Sequence, residues 1–255
     1  MSFSEILSAQ STQARLFKGY GKIARHQGQL TGVYRPLAVF NLTDSQGNQL
    51  QDTFGYDLIQ ALGTKITETQ IIYTNSYNFI KSNKFGVSIL FGIFDGTLIC
   101  EGDYLVTPPI NSTDNDGSFT KKSNTNADYF YVASMPLNSP ILLVKCNRTL
   151  NISRPHGPSG TKGALGYAGS VPASEQALLS GVRASMLQGT KGETNPANLP
   201  LDIRQPWWVV LLPALPGVVI DTGDFIRDDL GRRYAISSAE LTDLGWRLTA
   251  SYERV

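Results

Sequence analysis

The chain has 255 residues, of which 41% are hydrophobic, and a chain of this size can bury one large or two small globular cores. Its 22 basic and 21 acidic residues leave a formal net charge of +1, so the overall charge does not favour nucleic acid, a membrane surface or an acidic ligand as partner. The 24 glycines and 13 prolines favour a mainly β fold of short strands and turns.

Targeting signals are not evident in the sequence. The apolar runs fall short of the roughly 20 residues that a membrane-spanning helix needs, and the segment from Met1 to Glu5 lacks the basic and apolar regions of a signal peptide. We therefore expect no membrane partner and a protein made in the cytosol, used there or carried on a particle assembled there. In that setting Cys100 and Cys146 are expected to be buried thiols, with a late-forming disulfide as the alternative.

The first predicted element is a helical arm at residues 1–32, with its helix over about residues 4–26. Ser2 and Glu5 form a capping box, and apolar residues follow at helical spacing. Such an arm packs either on its own β-body or on a neighbouring subunit. The side chains that we expect at the second kind of contact are Phe17 and Tyr20.

A first β-module is predicted over residues 33–155, with a long polar loop inserted at 107–127. The pair Asp95-Gly96 predicts a hairpin, and a loop as long as the insertion is typical of an interaction device or a disordered tip. The strand candidates are Gln70 to Tyr73, Val87 to Phe91, Thr97 to Cys100, Tyr129 to Ser134 and Ile141 to Lys145.

A glycine-rich connector at residues 156–200 leads to a C-terminal β-module at 201–255. Within the connector, Glu175 to Leu179 is interpreted as one or two helical turns. The run from Trp207 to Leu212 predicts a buried strand. Because prolines bracket this run, we place it at a sheet edge or at a crossing between sheets. A hairpin turn is expected around Leu244-Gly245-Trp246.

The two β-modules share a pattern of residues. Downstream, Gly223-Asp224 opens an alternating strand, and a turn leads to an aromatic-led strand from Arg232 to Ser237. Upstream, Gly102-Asp103 opens the corresponding strand, and Tyr129 to Ser134 forms the aromatic-led one after the long loop. In each case a third apolar strand follows. The pattern predicts a duplicated β-unit, two small β-barrel or sandwich modules whose copies differ mainly in the insertion.

The sequence offers little for catalysis. The segment from Gly157 to Gly163 has the composition of a phosphate loop but not its spacing, and we expect no catalytic residue, no cofactor and no metal. The two histidines, His26 and His156, are expected to be solvated. Four carboxylates of the C-terminal module are compatible with glycoside hydrolysis or, more simply, with turn formation: Asp224, Asp228, Asp229 and Asp243.

The densest basic group lies on successive strands of the C-terminal module. It forms either a solvated sheet face with cross-strand arginine–aspartate pairs or an interface in which guanidinium groups bind carboxylates of a neighbouring subunit; direct contact with DNA is the third possibility. The members of this candidate assembly interface are Arg227, Arg232, Arg233, Arg247 and Arg254.

The stretch from Thr222 to Ile236, a Gly-Asp strand, a turn and a Gly-Arg-Arg-Tyr strand, resembles the β-barrel unit of head-tail connector or stopper proteins from tailed bacteriophages. The wider chain, including Tyr34-Arg35-Pro36, Phe94-Asp95-Gly96 and Pro206-Trp207-Trp208, resembles virion proteins from phage structural gene clusters. The resemblance implies a non-enzymatic virion protein assembled in the bacterial cytoplasm. It implies a ring of identical copies that contacts neck, tail-tube or baseplate proteins, and that contacts DNA only if it lines a channel.

Two other functions remain open at this point. A hydrolase would use the four aspartates named above. A receptor-binding or carbohydrate-binding module at the tail tip would instead present a groove lined by exposed aromatic side chains. The candidates for that groove are Tyr73, Tyr77, Phe79, Tyr129 and Tyr131.

Overall fold

The secondary structure is known for eight stretches of the chain. The computed structural model describes residues 3–36, 64–74, 89–108, 127–136, 139–155, 175–189, 206–215 and 217–253. The elements are α1 (Phe3–Gln27), β1 (Gln29–Arg35), β2 (Thr64–Thr74), β3 (Ile89–Ile93), β4 (Tyr104–Thr107), β5 (Asp128–Ser134), β6 (Ile141–Cys146), β7 (Arg148–Pro155), β8 (Glu175–Gln188), β9 (Trp207–Leu212), β10 (Phe225–Asp228), β11 (Arg233–Thr242) and β12 (Gly245–Tyr252). The predicted mainly β fold with an N-terminal helix is confirmed.

The strands form two closed barrels of six strands each. Around the first barrel the order is β1-β2-β3-β6-β5-β4, and β4 pairs back with β1. Around the second it is β7-β8-β9-β12-β11-β10, and β10 pairs back with β7. The two orders are the same when the strands are renumbered from the start of each barrel. The chain is therefore an internal duplication, as the repeated Gly-Asp pattern predicts.

Between β6 and β7 the chain passes from the first compact unit, at Asn147, to the second, at Arg148. The sequence pattern assigned residues 148–155 to the upstream module, but β7 pairs with β8 and β10 and belongs to the second barrel. Strand β8 occupies part of the predicted connector, so the interpretation of Glu175 to Leu179 as helical turns is wrong. Hydrogen-bonded neighbours on both sides of β8, namely β7 and β9, override the helical preference of the segment Glu-Gln-Ala-Leu-Leu.

Helix α1 packs on the first barrel. Phe17 is buried in the same cluster as Val33, Leu105 and Leu143 of the barrel strands. A Cβ atom at Gly21 would lie 2.7 Å from the Cβ of Asp95, so glycine permits the close approach of helix and barrel there. After Gln27 the chain passes through one residue directly into β1, which fixes the direction of the helix relative to this barrel.

Each barrel has its own hydrophobic core. In both, the inward-facing side chains alternate along the strands with side chains that point outward. The first core contains Val33, Ile71, Phe94, Ile99, Leu105, Phe130, Val132, Ile141 and Leu143, with Phe17 of α1. The second contains Leu150, Ile152, Leu179, Val182, Ala184, Met186, Val210, Leu212, Ile226, Tyr234, Ile236, Trp246, Leu248 and Ala250, among others.

The hairpin predicted at Asp95-Gly96 does not form. Strand β3 pairs with β2 and β6, and the segment from Thr97 to Cys100 is a turn instead of a strand. The Asp95 carboxylate accepts a hydrogen bond from the Thr97 backbone N–H at 3.1 Å, which closes this turn locally. Because Cys100 lies in the turn it is exposed, whereas Cys146 is buried as predicted, and neither cysteine forms a disulfide.

Strand β9 is paired on both sides, with β8 and β12, and so does not lie at a sheet edge. Pro206 and Pro213 stand immediately outside its ends, where a missing N–H costs the ladder no hydrogen bond. The predicted turn at Leu244-Gly245 is present between β11 and β12, and Gly245 has a φ of 109°.

Candidate functional site

An arginine–aspartate clamp occurs at the same place in both barrels. In the first, Arg35 at the end of β1 donates from Nε and Nη2 to the two carboxylate oxygens of Asp103, at 2.9 and 2.8 Å. In the second, Arg154 on β7 donates in the same way to Asp224, at 2.8 and 2.9 Å. Both carboxylates are almost fully buried. Two parallel charge-assisted bonds fix the geometry of each pair.

The clamp also fastens the turn that precedes each Gly-Asp strand. Arg35 Nη2 donates to the Leu98 carbonyl at 3.1 Å, and Arg154 Nη2 donates to the Val219 carbonyl at 3.0 Å. The hydrogen bond to the aspartate outweighs the effect of burial and raises the pKa of both guanidinium groups above their ordinary value. The arginines therefore stay charged and connect strand to turn.

The Gly-Asp pair of the sequence pattern owes its composition to this turn. Gly102 and Gly223 have φ values of 91° and 95°, which favour glycine strongly. The aspartate that follows accepts a hydrogen bond at 2.8 Å from a backbone N–H three residues earlier, that of Cys100 or Asp221. The carboxylate thus binds both the turn and the arginine of the clamp.

The arginines of the clamp were not among the candidates from the sequence, although a signal for them exists. Arg35 is followed by Pro36 and Arg154 by Pro155, so the dipeptide Arg-Pro marks the same point in both copies. The partners in each clamp are 68 and 70 residues apart in sequence. Only the alignment of the two copies could have revealed the pairing.

The predicted arginine group divides between interior and surface. Arg233 is buried: its guanidinium lies 3.9 Å above the Phe225 ring and forms ion pairs with Glu175 and Glu253 of its own chain. It is therefore not available to a neighbouring subunit. Arg227 and Arg232 are exposed and Arg247 is half-buried, while Arg254 lies outside the described residues.

The two predicted contact residues of the arm face their own barrel. Phe17 is buried in the first core, and Tyr20 packs partly buried against it. Burial raises the pKa of Tyr20 above its ordinary value. Packing within the unit accounts for both side chains without a neighbouring subunit.

Two of the four aspartates considered for hydrolysis hold turns in place. Asp228 accepts hydrogen bonds from the N–H of Leu230 at 3.0 Å, from the N–H of Arg232 at 2.7 Å and from the Tyr234 hydroxyl at 3.0 Å. Asp224 is held in the clamp. The simpler interpretation, turn formation, describes these two carboxylates. Asp229 pairs with Arg148 at 3.3 Å, and Asp243 lies in the turn between β11 and β12.

Among the described residues, the aromatic side chains predicted to line an exposed groove do not form one. Tyr129 and Tyr131 are buried, so neither is accessible to a ligand from solution. Tyr73 stacks on Phe130 with ring centroids 4.5 Å apart. Tyr77 and Phe79 lie outside the described residues.

A cleft of about 300 Å³ opens at the end of the first barrel where β1, β3 and β5 begin. Lys145 and Asp128 on its wall form an ion pair at 2.7 Å. The hydroxyl groups of Thr31, Tyr73 and Thr107 are hydrogen-bonded to one another at 2.7 to 3.1 Å. Since these polar groups already satisfy each other, a ligand would have to displace internal bonds in order to bind.

Metal and membrane sites are not found in the part of the chain that the structure describes. No cluster of three or more histidine, cysteine, aspartate or glutamate side chains there is suited to a metal ion. No helix among the same residues combines the length and apolarity that a membrane span requires. His26 is exposed in the last turn of α1, and His156 is outside the described residues.

The chain was compared with known protein families, sequences and structures. The chain matches no protein-family model, no curated protein sequence and no solved structure.

Proposed function

We propose that this chain is a structural protein of a tailed-phage particle, where it assembles with copies of itself into a ring at the neck, in the tail or in the baseplate. The observation that carries the proposal is the presence of two closed barrels with the same strand order, each fastened by the same arginine–aspartate clamp. The polar groups of the clamps bind the chain itself, which suits a rigid building block.

The segment that resembles the phage connector unit supports the choice of particle. Its Gly-Asp strand and its Arg-Tyr strand are β10 and β11, and they are paired neighbours in a closed barrel. A net charge of +1 also suits a ring, because identical copies then repel one another little.

Arg227 and Arg232 form the assembly surface in this proposal. Both are exposed, and the tight turn around Asp228 lies between them. Arginine is enriched at protein interfaces and binds carboxylates with two parallel hydrogen bonds. The partner is an acidic patch on the next copy or on a neighbouring particle protein.

The mass of the purified protein in solution tests the ring. We expect light scattering to give a closed oligomer and negative-stain images to show rings. The double variant Arg227→Glu, Arg232→Glu is expected to dissociate it, while Lys18→Glu, Lys22→Glu changes the charge equally on α1 and is expected to leave it intact. A wild-type monomer that also fails to bind phage neck or tail components would overturn the proposal.

Detection in purified particles tests the location. Mass spectrometry of phage particles that encode this chain is expected to recover it among the virion proteins, in a stoichiometry that fits a ring. Recovery from the infected-cell lysate alone, with none in the particles, would contradict the proposed location.

A further inference from the structure

The exposed face of α1 carries a stripe of four basic side chains, Arg15, Lys18, Lys22 and Arg25, all exposed. Their spacings of three, four and three residues place them on one side of a helix. At 1.5 Å per residue the stripe is about 15 Å long. We refer to these four residues as the basic stripe.

The basic stripe is not balanced by acidic groups on its own segment. From residue 6 to residue 43 the sequence contains no aspartate or glutamate. None of the four side chains belongs to an ion pair among the described residues. Asp95 contacts the helix, but at buried Gly21, and its carboxylate accepts hydrogen bonds from Thr97. Although the net charge of the chain is near zero, the exposed face of α1 is therefore cationic.

The side chains around the stripe decide between its possible partners. A helix that binds a membrane surface inserts its apolar side, but here Phe17 and Ala24 on that side are buried against the barrel. Protein interfaces are depleted in lysine and rich in aromatic anchors, and the large apolar side chain exposed beside the stripe is Ile23 alone among the described helix residues. A polyanion with regularly spaced charges fits best.

We propose that the basic stripe binds the phosphate backbone of a nucleic acid without reading the base sequence. Duplex DNA carries one negative charge per about 1.7 Å of its axis, so a stripe about 15 Å long faces several phosphates at once. Its side chains are hydrogen-bond donors only, as phosphate oxygens require. The proposal stands independently of the proposed ring, since it uses neither Arg227 nor Arg232.

The salt dependence of binding to labelled duplex DNA of random sequence tests this proposal with the full-length protein. Four phosphate contacts predict that the logarithm of the binding constant falls with the logarithm of salt concentration with a slope of about −3.6. The variant Lys18→Gln, Lys22→Gln is expected to make the slope less negative by about two and to weaken binding at least tenfold at low salt. The variant Lys18→Arg, Lys22→Arg keeps both charges and is expected to bind like the wild type.

The control variant Lys65→Gln, Lys145→Gln removes the same charge from two lysines of the first barrel that each have an acidic partner, Glu68 and Asp128. It is expected to leave the slope unchanged, and equal weakening by both charge-removing variants would overturn the proposal. Binding that is insensitive to salt, or no binding at about 50 mM salt where such contacts are strong, would also overturn it. So would tighter binding of anionic lipid vesicles or of polyglutamate than of DNA, which would assign the stripe to a membrane or to an acidic protein.

Discussion

The Tyr131 hydroxyl on β5 is buried and has no hydrogen-bond partner among the described residues. Burial raises its pKa well above the ordinary value, and the nearby Cys146 raises it further. The Tyr234 hydroxyl of the second barrel instead donates to Asp228 at 3.0 Å. The two tyrosines therefore provide a matched pair, one with a satisfied hydroxyl group and one without.

Tyr131→Phe is expected to increase the free energy of unfolding by about 1 kcal/mol, because it removes a buried polar group that lacks a partner. Tyr234→Phe is expected to lower it by a similar amount, since Asp228 loses a donor. Urea unfolding at pH 7 measures both. A stabilised Tyr234→Phe together with a destabilised Tyr131→Phe would contradict the assignment.

Tyr131→Phe is also expected to change how the stability of the protein depends on alkaline pH. The pKa of Tyr131 is higher in the folded than in the unfolded chain, so its contribution is fully present below the unfolded value of 10.0 and is lost as the pH rises above it. In Tyr131→Phe the free energy of unfolding should therefore fall less steeply above that pH than in the wild type. Equal slopes in the two proteins would contradict this.

The clamps predict equal effects in the two barrels. Asp103→Asn and Asp224→Asn each remove the negative charge that accepts two parallel hydrogen bonds from an arginine. Each is expected to lower the free energy of unfolding by about 1.5–3 kcal/mol. Glu68→Gln in the exposed pair with Lys65 is the control, with an expected cost below about 0.5 kcal/mol. Denaturant unfolding is the measurement, and a large cost at only one of the two aspartates would show that the clamps are not equivalent.

At the scale of single elements, the predictions succeed where the signal is local. The helix predicted over residues 4–26 is α1 (Phe3–Gln27), and the strand predicted at Ile141 to Lys145 is β6 (Ile141–Cys146). Capping, helical spacing and short apolar runs suffice for both. Strand β8 was missed because its conformation depends on pairing with β7 and β9 rather than on its own residues.

The arginine–aspartate clamps were predictable only in part, because they too depend on residues that are distant in sequence. Gly-Asp can be found by comparing the two copies, but Arg35 reaches Asp103 only once the barrel has closed. Burial is likewise a property of the whole barrel. Arg233 and Tyr129 look like surface residues in the sequence, yet both are covered in the fold.

Replacing each of two glycines by alanine is expected to change the stability of the protein with opposite sign. Gly223 has a φ of 95° in the turn before β10, so Gly223→Ala is expected to cost about 1–2 kcal/mol. Gly19 lies in α1, and a Cβ there would meet no atom within 4 Å. Gly19→Ala is therefore expected to stabilise the protein by up to about 1 kcal/mol. Thermal unfolding distinguishes the two outcomes, and the same sign of change for both would be inconsistent with the structure.

At the scale of the whole molecule, the chain is two barrels with separate cores. Leu143 belongs to the first core and Leu248 to the second, and both are fully buried. The two clusters share no side chain. A cavity in one core is therefore expected to weaken that barrel before the other.

Leu143→Ala and Leu248→Ala are each expected to cost about 2–5 kcal/mol in the barrel that contains them. Hydrogen exchange followed by mass spectrometry locates the effect. In Leu143→Ala, exchange should rise in β4 and β5 more than in β10 and β11, and the reverse is expected for Leu248→Ala. A uniform rise in both barrels would show that they unfold as one cooperative unit.

Closure of both sheets also limits how copies of this chain can associate. An open sheet leaves a row of free backbone N–H and C=O groups, onto which another chain can add a strand, and crowded copies then aggregate in fibrillar form. In the part of the chain that the structure describes, the first and last strands of each barrel pair with each other, so neither barrel presents an edge strand to another copy. Between the described barrels, copies packed at high density therefore meet through side chains and turns rather than by strand addition.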